Sequence, residues 1–177
     1  MTYPESLPTD AVATQWSALA FGLYQTGFMP SMSLVTVPVM QKTSVSAAQL
    51  LGQFKSFHTH GHFYGPASTM AISLLHAYTA CRKGWTGRPW LLSAAAGALS
   101  ISVWPFTIIL MDPINSLLFE WKATAAQISL EQVQNKLAQW EMLHTSRSIL
   151  LLLGALAGYL ALRQNQGPSH IRPKLKQ

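Results

Sequence analysis

The side chains able to do chemistry in this chain gather in three short stretches. The first, SFHTHGHFYGP over residues 56–66, carries His58, His60 and His62 at every second position. Imidazole changes charge near neutral pH, so any of the three could serve as a base. In an extended segment the alternation would turn all three to one face, which suits a three-histidine site for Zn, Cu or Fe, completed by His144 or Asp112. Gly61 interrupts the run, a loop can aim histidines in any direction, and in a helix only His58 and His62 share a face. The second stretch, MDPIN at 111–115, holds Asp112 and Asn115. The third, WEMLHTSR at 140–147, holds Trp140, His144 and Arg147, which extend a helical stripe begun by Val133 and Leu137. Such residues also have plain uses: an arginine reaching lipid headgroups, a histidine capping a carbonyl.

The elements that must position these groups follow from composition. Of 177 residues 49% are hydrophobic and 10% charged, against about 25% charged in an ordinary soluble domain. The formal charge of +6 sits mostly at the ends of apolar runs rather than in an aromatic-laced patch, which argues for lipid and against nucleic acid. The single Cys81 allows no intrachain disulfide.

Four apolar stretches, near 12–40, 63–81, 89–111 and 143–163, are candidates to cross a bilayer, which takes roughly 20 helical residues. A soluble bundle of buried helices competes with this reading, but three of the stretches have no charged face to turn to water. The first follows an acidic start (Glu5, Asp10) and is too long for a cleaved signal. Pro113 predicts a chain break at Asp112. Ser129 with Gln132 forms a capping box that starts a helix near Leu130, with no Gly or Pro before Gly154. The expected fold is all-α: a single integral membrane domain, a four-transmembrane-helix bundle whose fourth span extends out of the membrane, with a loop and helix over 112–142.

Arg82, Lys83 and Arg88, with Arg163, Arg172, Lys174 and Lys176 in or beside a tail over 164–177, predict that both termini face the cytosol. An even number of spans puts the HTHGH segment and the 112–142 segment on the same side, whichever way up the protein sits. His58, His60, His62, Asp112, Asn115, His144 and Arg147 can then converge at one end of the bundle.

The pieces GHFYGP, PFTIILMDPIN and WEMLHTSRSILLLLGA, with SLVTVPVM in the first apolar stretch, resemble the anthrone oxygenase family of fungal polyketide pathways, a branch of a wider family of small four-span membrane proteins. The resemblance covers nearly the whole chain. It implies oxidation by O2 of the central methylene of an anthrone, of the emodin-anthrone or norsolorinic-acid-anthrone type, to an anthraquinone. It implies a location in the endoplasmic reticulum or a related endomembrane. It implies no cofactor beyond O2, and the sequence holds neither a glycine-rich phosphate loop after a strand nor a CxxCH.

Matched to the family's elements, His62 is the first choice for the base and His144 the second; Arg147 would stabilise an oxyanion and Asn115 would donate to a substrate oxygen. Trp104, Phe106, Trp140 and Tyr64 would wall the pocket. His58 and His60 match no family element, and His76 is expected to hydrogen-bond a neighbouring helix. Two alternatives stand beside this reading. One is the same oxidation at a Cu, Fe or Zn ion held by His58, His60, His62 and His144. The other is a small membrane scaffold without catalysis; transport is poorly supported in so short a chain. The expected partners are a small aromatic polyketide and membrane lipid, with self-association through the small-residue face SAAAGALS.

Overall fold

The computed structural model describes residues 7–166. Glu5, used against a cleaved signal, and Arg172, Lys174 and Lys176, on which part of the orientation argument rests, lie outside the described residues. Among the described residues every regular element is helical. The chain runs through α1 (Thr9–Ser31), a π-helical turn (Met32–Thr36), α2 (Val37–Thr43), α3 (Ala47–Trp85), α4 (Leu91–Ile101) and α5 (Val103–Phe106). A second π-helical turn (Thr107–Met111), α6 (Asp112–Ala123) and α7 (Leu130–Arg163) follow.

The long elements close a ring, α1 packing on α3 and α7, and α4 packing on α3 and α7. Two described helices are long and apolar enough to cross a membrane: the near-continuous Leu91–Ala123 and α7.

α7 starts where the sequence puts it. Ser129 Oγ accepts from Gln132 N at 3.1 Å, and Gln132 Oε1 accepts from Ser129 N at 2.9 Å. Its 34 residues then run unbroken, burying Val133, Leu137, Trp140 and His144 along one stripe.

Several expectations are corrected. The break at Asp112 does not occur: Pro113 sits in the first turn of α6, where its missing N–H costs least, directly after the second π turn. Pro38 stands in the same relation to the first π turn. In each case the wider i→i+5 turn precedes the proline and the helix continues instead of breaking.

The HTHGH stretch, expected before the second span, lies wholly inside the 39-residue α3. Gly61 and Gly65 weaken this segment by about 1 kcal/mol each relative to alanine. Tertiary packing offsets that cost: Leu50, Leu51 and Phe54 are buried against Leu118, Leu137 and Trp140 in one apolar cluster.

α3 also runs past Cys81, so Lys83, expected in the following loop, is helical and fully buried, donating to Ala161 O at 2.8 Å. Gly87, at φ +67°, makes the turn that ends the connection.

Away from that apolar cluster the bundle is held by close backbone approach. A methyl placed on Gly97 would stand 3.3 Å from His76 Cβ, one on Gly154 3.1 Å from Ser100 Oγ, and one on Gly158 2.7 Å from His76 Cε1. His76 therefore fills a notch between two glycines, and its Nδ1 has no hydrogen-bond partner, contrary to the expected interhelical bond. The Ser93, Ala96, Gly97 and Ser100 face of SAAAGALS is buried inside the bundle. On the outside, the Asp10 carboxylate accepts from the Tyr78 hydroxyl and stands 3.6 Å from the Arg82 guanidinium, tying the start of α1 to α3.

Candidate active site

Toward the other end the helices part around a cavity of about 560 Å3, inside the range of small-molecule sites. His62, Asn115, His144 and Arg147 all line it, with Trp104 and Trp140. Helix geometry explains the convergence. α3 brings His58 and His62 one turn apart on one face. α7 brings Trp140, His144 and Arg147 along one stripe. α6 brings Asp112 and Asn115 one turn apart.

The HTHGH histidines separate accordingly. His62 is exposed at the cavity, its ring stacked on that of His58 with centroids 5.3 Å apart and 25° between planes. His58 lies edge-on to Phe119 at 5.0 Å and tilted to Phe54 at 5.9 Å. Burial, then the nearby His62 and Arg147, hold its imidazole below the ordinary histidine value, with Asp112 opposing. His60 faces elsewhere: its Nδ1 lies 2.7 Å from Ser56 O, and with Tyr64 it lines a neighbouring cavity of about 520 Å3 between α1 and α3.

The proposed set of His58, His60, His62 and His144 is thus not gathered as metal ligands. Among the described residues no three His, Cys, Asp or Glu side chains are grouped to hold an ion.

Deeper in the cavity the polar groups are tied together. His144 is buried, with Nδ1 2.8 Å from Ser33 Oγ and its ring stacked on Trp140 at 4.5 Å. Trp140 Nε1 donates to Asn115 Oδ1 at 2.9 Å, and Asn115 Nδ2 donates to Asp112 Oδ1 at 3.2 Å. That leaves one Asn115 amide hydrogen for a ligand. Arg147 donates through one terminal nitrogen to Thr107 Oγ1 at 2.8 Å, while its buried Nε has no partner.

Trp104 donates to Thr69 Oγ1 at 3.2 Å and lines the same space. Phe106 does not line it; the ring packs against the apolar cluster. Tyr64 does not line it either, because two residues turn a helix about 200° and carry the phenol away from His62.

The sequence reading missed Ser33 and Thr107. Each belongs to a π turn, and each hydroxyl reaches a member of the α7 stripe. Their signal is faint: a hydroxyl residue five or six positions before a proline within an apolar run. It also missed the methionines Met29, Met32, Met70 and Met111, which give the wall an adaptable apolar surface. The result is an apolar slot with flat indole walls, a histidine at one side and several N–H donors within.

The profile of the anthrone oxygenase family matches residues 54–157, the segment that carries nearly all of these lining residues. An anthrone oxygenase of Paecilomyces divaricatus is 34% identical over 157 residues, covering 85% of this chain and 96% of its own. One of Aspergillus fumigatus is 35% identical over 154 residues, covering 86% and 96%. A noranthrone monooxygenase of Aspergillus flavus is 30% identical over 156 residues, covering 86% and 74%. No solved structure matches the chain. With a profile spanning more than half its length and relatives matched nearly end to end, the chain belongs to the anthrone oxygenase family.

Proposed function

We propose that this protein is an oxidoreductase of polyketide biosynthesis that converts an anthrone and O2 into the anthraquinone and water, without an organic cofactor or a metal. The observation that carries the reading is that His62, Asn115, His144 and Arg147 line one apolar cavity between Trp104 and Trp140, of a size to take a flat tricyclic body.

The substrate is its own reductant. His62 removes a methylene proton, and the negative charge moves through the rings to the carbonyl oxygen opposite, where Arg147 and Asn115 supply N–H donors. The electron-rich anion passes one electron to O2, giving a carbon radical and superoxide. These combine at the former methylene carbon as a peroxide anion, which takes back the proton held by His62 and becomes a hydroperoxide. Loss of the second hydrogen from that carbon, as the O–O bond breaks and hydroxide leaves with a proton, gives the quinone and one water. One anthrone and one O2 are consumed for each quinone and water formed.

The same reading makes the protein a four-span integral membrane protein of the endoplasmic reticulum or a related endomembrane, with cytosolic termini. Large apolar side chains stand exposed on every long element, among them Leu23, Leu74, Leu91, Ile109 and Leu152, an outer surface suited to lipid. Release of the chain from membranes by alkaline carbonate would overturn the integral placement.

The activity is tested with purified protein, an anthrone and air. Quinone should form with one O2 taken up per turnover, and His62→Ala should lower kcat by about 10²–10⁴-fold. Quinone formation no faster than in buffer sinks the oxygenase reading. Full activity in His62→Ala removes His62 as the base. Stoichiometric metal in the purified protein, with activity lost in chelator, removes the cofactor-free account.

A further inference from the structure

The two π turns present hydroxyls of opposite polarity to the α7 stripe. Thr107 spends its hydroxyl hydrogen on Val103 O at 2.7 Å, so its oxygen accepts from Arg147. Ser33 is different. Several serines in these helices return their hydroxyl hydrogen to a carbonyl three or four residues back, as Ser31, Ser73, Ser100 and Ser148 do, whereas the buried Ser93 hydroxyl has no partner. Among the described hydrogen bonds Ser33 Oγ has a single partner, His144 Nδ1 at 2.8 Å. Ser33 is fully buried and His144 nearly so. If Ser33 accepted a hydrogen from Nδ1, its own hydroxyl hydrogen would be sealed in an apolar interior without an acceptor, which is costly. The arrangement in which Ser33 donates and Nδ1 carries the lone pair strands no hydrogen.

We propose that Ser33 fixes His144 as the neutral tautomer protonated at Nε2, which makes His144 a hydrogen-bond donor to the substrate's oxygen and not a base. This rests on the oxygenase reading for its chemistry, but the tautomer itself does not. His144 lines the cavity, and its Nε2 has no hydrogen-bond partner among the described residues. With Nδ1 held by Ser33 and the ring fixed flat against Trp140, the Nε2–H is directed by two separate contacts. His144 and Arg147 then stand one helical turn apart on α7 as paired donors. A neutral imidazole donor beside a guanidinium suits an oxygen that gains charge only after the methylene proton has left. The base is accordingly left to His62, on the facing helix. Ser33 touches no substrate in this scheme; it is a positioning residue that sets which nitrogen of His144 faces the cavity.

The test begins with 15N-histidine NMR of the full chain in nanodiscs, His144 being assigned by the signals missing from His144→Gln. The expected spectrum has a protonated Nε2 and an unprotonated, hydrogen-bonded Nδ1; a protonated Nδ1 overturns the proposal. Ser33→Ala should move the Nδ1 resonance and release a tautomer mixture, and an unmoved resonance removes Ser33 as the positioning group. Should Ser33→Ala fail to fold, Ser33→Cys keeps the volume with a far weaker donor and is read in the same way.

Kinetics on anthrone give an independent arm. A Gln amide can replace an Nε2–H donor but cannot replace a base. His144→Gln should stay within about tenfold of the native kcat while His144→Ala loses about 10²-fold or more. Equal loss in both variants overturns the donor role. Ser33→Ala should lower kcat about tenfold at little-changed KM, with Ser33→Thr restoring most of it. An unchanged kcat counts against the positioning. If the native protein makes no quinone at all, the oxygenase reading fails, while the nitrogen spectrum still decides the tautomer.

Discussion

The two ends of this bundle use glycine in opposite ways. At one end Gly97, Gly154 and Gly158 are places where another helix already occupies the space a side chain would need. At the other, Gly61 and Gly65 line the cavity, and a methyl on either meets no atom within 4 Å. The same residue welds helices together in the first region and keeps them from filling a void in the second. In a membrane, where helices gain little from apolar burial against one another, close backbone approach is a principal source of association. A bundle can keep an open chamber at one end if the other end is closed that tightly.

Substitutions can be arranged to break this contrast. The largest expected effect is at Gly158. Gly158→Val drives branched carbons into the His76 ring, whose Cε1 lies 2.7 Å from the position of the first of them. Destabilisation of about 3 kcal/mol is expected from overpacking, read as a lowered unfolding midpoint in detergent; unchanged stability would mean that the seam is not tight.

Next comes Gly65→Leu, which leaves the seam untouched but projects a side chain into the chamber. KM for anthrone should rise about tenfold, near 1.4 kcal/mol, with the fold intact by circular dichroism; an unaltered KM would place the substrate elsewhere.

A smaller effect of opposite sign is expected of Gly65→Ala. Loss of glycine's unfolded-state freedom should stabilise the helix by about 0.5–1 kcal/mol, where the same exchange at Gly158 should destabilise. Equal signs at the two glycines would erase the distinction between the ends.

The smallest effect concerns pH. His58 is held below the ordinary histidine value of 6.5, chiefly by burial. On acidification the unfolded chain therefore takes up this proton before the folded one. Its contribution to stability is complete above about 6.5 and is lost as pH falls from there through the lower folded value. His58→Phe, among Phe54, Phe57 and Phe119, should flatten this part of the stability–pH curve; an unchanged slope would assign the acid sensitivity to another group.

How much of this was legible depended on whether local and tertiary forces agreed. The α7 helix was readable to the residue at its start because Ser129 and Gln132 satisfy each other locally, and the stripe that carries Trp140, His144 and Arg147 followed from spacing. The HTHGH segment read as extended or looped because Gly61, Gly65 and Pro66 all oppose helix locally. What makes it helical is the burial of Leu50, Leu51 and Phe54 against residues at positions 118–140, which no local window contains.

Pro113 failed as a stop signal for a related reason: a π turn can take up the change, and nothing in the residue types of TIILM announces one. The convergence of His62, Asn115, His144 and Arg147 was legible from topology. The identity of their hydroxyl partners was not, since it depends on how far each π turn rotates the helix.

Those π turns also bear on how such a chamber can be reshaped. A π turn is an α-helical turn that has absorbed one surplus residue. Deleting a residue within Met32–Thr36 or Thr107–Met111 would restore an ordinary turn and leave the helix beyond it close to its present bearing, changing only which side chain the turn presents to α7. The hydroxyl beside His144 or Arg147 could then be lost or replaced in a single genetic step, with the seam left in register. Length at these two points is therefore a place where the chamber's polar partners can change without moving the helices around it.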